Sequence, residues 1–145
     1  MKTKIMPLDF SNVDKVYETE VSCFLHPWAK QSFIEEINNP LAKYFVLLLN
    51  DEPVGYVGLW HILDEGHITN IAIKKEHQGK GLSHLLIKEI IDYKNNNHLK
   101  FLTLEVRESN IVARKLYEKY NFKIIGERKK YYENNETAIL YSLEG

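Results

Sequence analysis

The chain has 145 residues, 44% hydrophobic and 27% charged, which suits one folded domain, residues 1–145, burying roughly two-thirds of its unfolded surface, and excludes a disordered segment. Nineteen basic against twenty acidic residues leave no electrostatic footprint for nucleic acid. The single cysteine, Cys23, excludes an intramolecular disulfide framework, and there is neither a signal-like apolar run nor a stretch of ~18 uninterrupted apolar residues. A cytoplasmic protein with no membrane partner is the expectation.

Lys2–Met6 reads as a short first strand before Pro7. Ser11-Asn12-Val13-Asp14 has capping-box spacing, and Val13, Val16, Tyr17, Val21 and Phe24 then mark one face of a helix. Cys23 falls in that apolar pattern, which favours a buried thiol over a nucleophile. His26-Pro27-Trp28 stops this helix. A second begins near Lys30, presents Phe33, Ile34 and Ile37, and ends before Pro40. The Pro-Trp corner between them serves either packing or the wall of a substrate groove.

Three strand-like runs follow: Tyr44–Leu49, Val54–Ile62 and His67–Ile73, separated by Asn50–Pro53 and Leu63–Gly66. Connections this short imply an antiparallel meander. The third run leads into Gln78-Gly79-Lys80-Gly81-Leu82-Ser83, and a helix then buries Leu82, Leu85, Leu86, Ile90 and Tyr93 until Asn95–His98 ends it. Two glycines at a strand-to-helix turn leave backbone N–H groups open at the positive end of a helix dipole, which favours a phosphate. The alternative is a glycine-bearing helix entry with no ligand.

Common nucleotide fingerprints fail here. A P-loop requires Gly-Lys-Ser/Thr, whereas Lys80 precedes Gly81 and no Ser or Thr directly follows it to hold magnesium. The dinucleotide motif requires a third glycine where His84 stands, and a βαβ unit rather than a meander.

Phe101–Val106 is a further strand, Arg107–Asn110 a polar junction, and Ala113, Leu116, Tyr117 and Tyr120 the stripe of a fourth helix. Asn121 then suits a left-handed cap. Phe122–Tyr132 and Glu136–Leu143 pair as a closing hairpin across Glu133–Glu136. The order β-α-α-β-β-β-α-β-α-β-β predicts an α+β domain, with about seven strands in a mixed, mostly antiparallel twisted sheet and four helices. The six histidines show no metal-ligand spacing, and His61 and His67 read as turn or solvated residues, so no metal is expected. Arg128-Lys129-Lys130 reads as a solvated strand edge, or alternatively as part of a groove for an acceptor chain.

Gln78-Gly79-Lys80-Gly81-Leu82-Ser83 resembles the Q/R-x-x-G-x-G/A segment of the GNAT superfamily of N-acetyltransferases. Leu104-Glu105-Val106-Arg107-Glu108-Ser109-Asn110, with Ala113, Leu116, Tyr117, Asn121 and Phe122, is similar to the L-E-V-R-x-S-N-x-x-A-x-x-L-Y-x-x-x-G-F block of the bacterial ribosomal-protein-alanine N-acetyltransferases (the RimI type). Phe24–Trp28, Asn70–Ile73 and Arg128–Tyr132 extend the likeness over most of the chain. Three departures stand out: Ser83 for Gly or Ala, Asn121 for Gly, and Thr137 for Asp in the family's Glu-Asp-Ala. The last bears on the acceptor more than on the donor.

The resemblance implies a GNAT fold and direct acetyl transfer in a ternary complex, from acetyl-CoA to the N-terminal alanine of small-subunit ribosomal protein eighteen. It implies Glu105 as base, directly or through a water, and Tyr117 as acid to the departing thiolate. It assigns the donor to Ile71, Ala72, Ile73, Gln78, Gly79, Lys80, Gly81, Leu82, Ser83, His84, Asn110 and Tyr117, with the Ile71 and Ile73 N–H groups facing the oxyanion. Pro27, Trp28 and Tyr131 are candidates for the acceptor groove, and a monomer is expected. From the residues alone, the alternatives are Glu105 as a solvated or salt-bridged strand carboxylate, Tyr117 as a packing residue and Asn110 as a helix cap. Two rivals keep the fold: transfer to a lysine or small amine, whose higher pKa asks more of the base, and a non-catalytic acyl-CoA-binding domain.

Overall fold

The computed structural model describes residues 2–132 and 134–145, so Glu133 of the last predicted turn lies outside the described residues. Its elements are β1 (Thr3–Pro7), α1 (Val13–Cys23), α2 (Lys30–Ile37), β2 (Ala42–Leu49), β3 (Glu52–Ile62), β4 (Glu65–Ile73), a single 3-10 turn (Lys75–His77), α3 (Leu82–Asn96), β5 (Phe101–Arg107), α4 (Ile111–Lys119), β6 (Lys123–Arg128) and β7 (Ala138–Glu144). The seven strands form one sheet in the order β1-β2-β3-β4-β5-β7-β6. Every neighbouring pair is antiparallel except β4–β5, which run parallel.

Tight turns build the meander. Asn50 and Asp51 both take positive φ (50° and 70°), the conformation of a two-residue hairpin whose twist matches its strands. Glu52 and Pro53 therefore belong to β3 and pair with Leu49 and Leu48. Gly66 is likewise a strand residue: a Cβ there would lie 2.6 Å from Leu102 Cδ2 and 2.8 Å from Leu59 Cδ1. Asn121 takes the left-handed conformation (φ 71°) expected of it.

Strand alternation sends apolar side chains to both faces. On one face Leu47, Leu59, Leu102 and Leu104 pack with Leu86, Ile87 and Ile90 of α3 and with Tyr117 of α4. On the other, Tyr44, Val46 and Tyr56 pack with Val13 and Val16 of α1 and Phe33 of α2. Each fully buried aliphatic or aromatic side chain contributes about 1.5–3 kcal/mol of transfer free energy. No helix of the described residues is long and apolar enough to cross a membrane.

Three local expectations are corrected. The capping box does not form, because Asn12 closes the β1–α1 turn instead: its Oδ1 accepts from Asp9 N (2.9 Å) and its Nδ2 donates to Pro7 O (3.0 Å). The inner face of α1 is Val13, Val16, Thr19 and Glu20, while Val21 is exposed and Phe24 falls beyond the helix end. The closing hairpin is shorter than predicted, since β6 ends at Arg128 opposite Ala138. Lys130 and Asn135 adopt positive φ (54° and 63°), which breaks the ladder, and the described residues between Arg128 and Ala138 lie outside the strands.

Candidate active site

β4 and β5 hydrogen-bond only at Glu65–His67 against Phe101–Thr103. Beyond His67 and Thr103 they diverge, and the sheet opens into a wedge. Along the other edge of β4, Lys74 N donates to Val54 O and Ala72 stands opposite Tyr56. Alternation then turns the Ile71 and Ile73 N–H groups away from β3 and into the wedge. Asn70 Oδ1 accepts from Ile71 N at 3.0 Å.

One side of the wedge leads into a cleft of about 660 Å³ lined by β4, the glycine loop, the start of α3 and α4. Of the predicted donor residues, Ile71, Ala72, Ile73, Gln78, Gly79, Gly81, Leu82, Ser83, His84, Asn110 and Tyr117 line it. Gly79 and Gly81 have φ of 80° and 77°, and a Cβ at either would meet nothing within 4 Å. The loop thus presents bare backbone to the cleft, and glycine is required for its conformation rather than for packing. The lining contains no Asp or Glu but includes His77, Lys115 and Lys119. With the α3 N-terminus this makes the cleft fit for an anionic ligand such as the pyrophosphate of CoA.

Not every predicted donor residue reaches the cleft by its side chain. Lys80 lies outside it, with Nζ 3.1 Å from His77 Nδ1. Leu82 is buried in the core, so its backbone alone is available. Gln78 donates from Nε2 to Ile73 O (2.9 Å), bracing the loop against β4. Asn110 caps α4, its Oδ1 accepting from Ala113 N at 3.2 Å, and also lines the cleft. His84 Nδ1 lies 2.8 Å from the Tyr120 hydroxyl.

Tyr117 enters the cleft from α4, with its ring against Phe122 (5.8 Å) and Tyr141 (6.1 Å) and only 4% of the residue exposed. Burial, reinforced by nearby Tyr132, pushes the phenol well above its usual value, so it keeps its proton at any ordinary pH. The described residues make no hydrogen bond to that hydroxyl.

A second pocket of about 610 Å³ is lined by Trp28, His67, Thr69, Thr103, Glu105, Arg128, Tyr131 and Tyr132, among others. Glu105 thus belongs to this pocket and Tyr117 to the cleft. Arg128 Nη2 is 3.5 Å from Glu105 Oε1, and its guanidinium lies 5.4 Å from the Tyr131 ring centroid. Of the predicted acceptor wall, Trp28 and Tyr131 line the pocket and Pro27 does not; Pro27 is exposed at the α1–α2 corner. Arg128 is the member of its basic run that faces the pocket, and Lys129 instead approaches Glu127 (3.9 Å).

The two histidines read as turn or solvated residues are engaged by neighbouring side chains. His61 Nδ1 is 2.6 Å from the Tyr93 hydroxyl, and His67 lies between Thr103 Oγ1 (2.7 Å) and Glu65 Oε1 (3.1 Å). No three His, Cys, Asp or Glu side chains of the described residues are grouped to hold a metal. Cys23 donates to Ile73 O at 3.0 Å, and burial raises its thiol, the reverse of what a nucleophile needs.

Several lining residues escape the sequence reading: Cys23, Phe24, His77, Val112, Lys115 and Lys119 in the cleft, and Thr103, Arg107's neighbour Tyr132 and Thr69 around the pocket. Lys115 and Lys119, four apart on one helix beside the Tyr117 stripe, carried a legible signal. At the Thr137 departure the contact is main-chain: Thr137 O accepts from Glu108 N (3.0 Å), while the neighbouring Glu136 side chain accepts from Ser109 N (2.9 Å). These bonds hold the junction after β5 to the loop before β7.

Residues 13–122 match the profile of the acetyltransferase (GNAT) family. A Bacillus subtilis protein, provisionally named a ribosomal protein bS18-alanine N-acetyltransferase, is 40% identical over 144 residues, 97% of this chain and 95% of that one. The ribosomal protein bS18-alanine N-acetyltransferase of Haemophilus influenzae is 37% identical over 130 residues, 88% of this chain and 86% of its own. The crystal structure of the ribosomal-protein-S18-alanine N-acetyltransferase from Escherichia coli superposes with a TM-score of 0.93 at 28% identity, over 99% of this chain and 94% of that one.

Proposed function

The chain belongs to the acetyltransferase (GNAT) family, and on that premise we propose that it transfers the acetyl group of acetyl-CoA to the N-terminal alanine of ribosomal protein bS18. The observation that carries the reading is the wedge between β4 and β5, which has the glycine-loop cleft and Tyr117 on one side and the Glu105 pocket on the other. Two substrates entering from opposite sides meet at the Ile71 and Ile73 N–H groups, as direct transfer in a ternary complex requires. The names of the relatives support the acceptor.

Each residue then has a physical task. The donor supplies an activated thioester, so the chain need only orient it, deliver a neutral amine and return a proton. An α-amine with a pKa near 8 is partly neutral at physiological pH, so a carboxylate serves as the base. Glu105, beside Arg128 and open to the pocket, takes that proton directly or through a water. The Ile71 and Ile73 N–H groups face the carbonyl oxygen as negative charge develops on it. That interaction displaces Asn70 Oδ1 from Ile71 N. Tyr117, kept protonated by burial, donates toward the departing sulfur. Trp28, Arg128 and Tyr131 border the incoming peptide. The reading is of a cytoplasmic, monomeric, single-domain enzyme whose partner is a peptide and not nucleic acid, in keeping with its balanced charge.

The test is mass spectrometry of the bS18 N-terminal peptide after incubation with acetyl-CoA. One acetyl group on the α-amine is the expected product. An unmodified peptide sinks the acceptor assignment and leaves the family standing. Glu105→Gln is expected to lower kcat by about 10²–10³-fold with acetyl-CoA affinity unchanged, in the range of a lost general base.

A further inference from the structure

Glu20 is 1% exposed at the centre of the α1–sheet interface, and the chemistry above does not use it. Its Oε2 accepts from the Trp28 backbone N–H at 2.8 Å. Its Oε1 accepts from the Tyr56 hydroxyl and from Asn70 Nδ2 (3.0 Å). Asn70 Nδ2 also lies 2.8 Å from the Tyr56 oxygen. One side chain of α1 thus joins the α1–α2 corner, β3 and β4.

Both ends of this network reach the site. Trp28 lines the Glu105 pocket, and its ring packs on Phe33 at 5.4 Å. Asn70 holds the Ile71 N–H, which faces the wedge. The Asn70 amide has one orientation that satisfies its neighbours: the NH₂ toward the carboxylate, the oxygen toward Ile71 N. Glu20 therefore dictates which way Asn70 points. A buried carboxylate is expensive unless every oxygen is filled, and an apolar residue would pack the same space at less cost. What the carboxylate adds is a strong acceptor at two separated points, the Trp28 amide and the Asn70 amide.

We propose that Glu20 is a positioning residue that fixes the acceptor wall at Trp28 relative to the oxyanion-facing edge of β4. It makes the distance between the two a property of one buried group rather than of a flexible corner. The corner itself, His26-Pro27-Trp28-Ala29, lies outside any helix or strand, so the Glu20 contact anchors it where backbone ladders do not.

The proposal rests on the acetyl-transfer reading, and the experiments separate the two. Glu20→Gln places an NH₂ group against a hydrogen-bond donor and so releases one arm of the network. The KM for the Ala-initiated peptide is expected to rise tenfold or more, while the Kd for acetyl-CoA, measured by calorimetry, stays within about twofold. Trp28→Ala is expected to raise the same KM, and the double variant to be no worse than Trp28→Ala alone, because Glu20 acts through Trp28. An unchanged KM, additive effects in the double variant, or an equal loss of acetyl-CoA affinity would each overturn the proposal. If Glu20→Gln does not fold, hydrogen exchange on the unaltered protein decides. The Trp28 amide is expected to exchange at least a hundredfold more slowly than an unstructured chain, and exchange at the intrinsic rate overturns the anchor. A wild-type protein that leaves the peptide unmodified overturns the acceptor reading instead, and the exchange result stands independently of it.

Discussion

Replacing Tyr117 by Phe removes a single hydroxyl and little else. The ring keeps its packing against Phe122 and Tyr141, and no described residue loses a hydrogen bond. Unfolding free energy should therefore change by no more than about 0.5 kcal/mol. The rate should respond very differently. A general acid in the transition state contributes about 10²–10⁴-fold, equivalent to about 3–5 kcal/mol of barrier at 1.36 kcal/mol per decade. Because burial raises this phenol, the unaltered enzyme should show no loss of activity from Tyr117 ionisation up to about pH 10, the ordinary tyrosine value. The assay is initial-rate release of free thiol with saturating bS18 peptide and acetyl-CoA, alongside urea unfolding of both proteins. A kcat within about threefold of the unaltered enzyme would refute the acid role and leave Tyr117 a wall of the cleft. A stability loss above about 2 kcal/mol would show that the hydroxyl has a structural partner, and the rate change would then not report proton transfer.

Gly81→Ala forces a side chain into a left-handed backbone (φ 77°) and places a methyl in the open space of the cleft. It should cost about 1–2 kcal/mol of stability and weaken acetyl-CoA binding at least tenfold by calorimetry; unchanged affinity would dissociate the loop from the donor. Gly66→Ala drives a methyl against Leu102 and Leu59, and none of these three residues lines either pocket. It should lower unfolding free energy by about 1–3 kcal/mol with kcat intact at 25 °C, and a neutral effect would mean that the core yields. Tyr44, Tyr56 and Tyr117 are all buried, and burial raises each phenol. Above about pH 10 the unfolded chain releases these protons while the folded one keeps them, so stability falls as pH rises, by about 1.4 kcal/mol per unit for each tyrosine. Urea midpoints at pH 9 and pH 11 should differ steeply, and equal midpoints would contradict the burial.

Strands β2 to β4 are legible because two-residue turns and alternating apolar residues are local signals. The glycine loop is legible because Gly79 and Gly81 announce positive φ. The order β5-β7-β6 is not, since seating β7 between β5 and β6 depends on pairings such as Phe101 with Glu144, distant in sequence. Glu20 is hidden for a related reason. A helical wheel sends a glutamate to solvent, and the donors that hold it inside, Tyr56 and Asn70, arrive from strands 36 and 50 residues away. The separation of Glu105 from Tyr117 is equally invisible in the block that carries both, because it follows from where β4 and β5 part. After β6, strand-like aromatics misled the reading: Tyr131 packs on Tyr132, and Tyr132 lies under the Arg107 guanidinium (3.9 Å).

Three paired residues on each of β4 and β5 span only ~10 Å of shared edge. The seven strands are therefore two antiparallel leaves, one of four strands and one of three, stitched along a short seam. Such a seam is the weakest line through the sheet, where sub-global opening should occur at less free energy than complete unfolding. A ligand lying between Ile71–Ile73 of one leaf and Asn110 and Tyr117, which follow the first strand of the other, bridges the leaves as a cross-brace. At a hundredfold excess over its Kd it would stabilise the closed form by about 2.7 kcal/mol. On the proposed reading that this ligand is the donor substrate, it is also a structural member, and the enzyme would be most firmly held together when loaded.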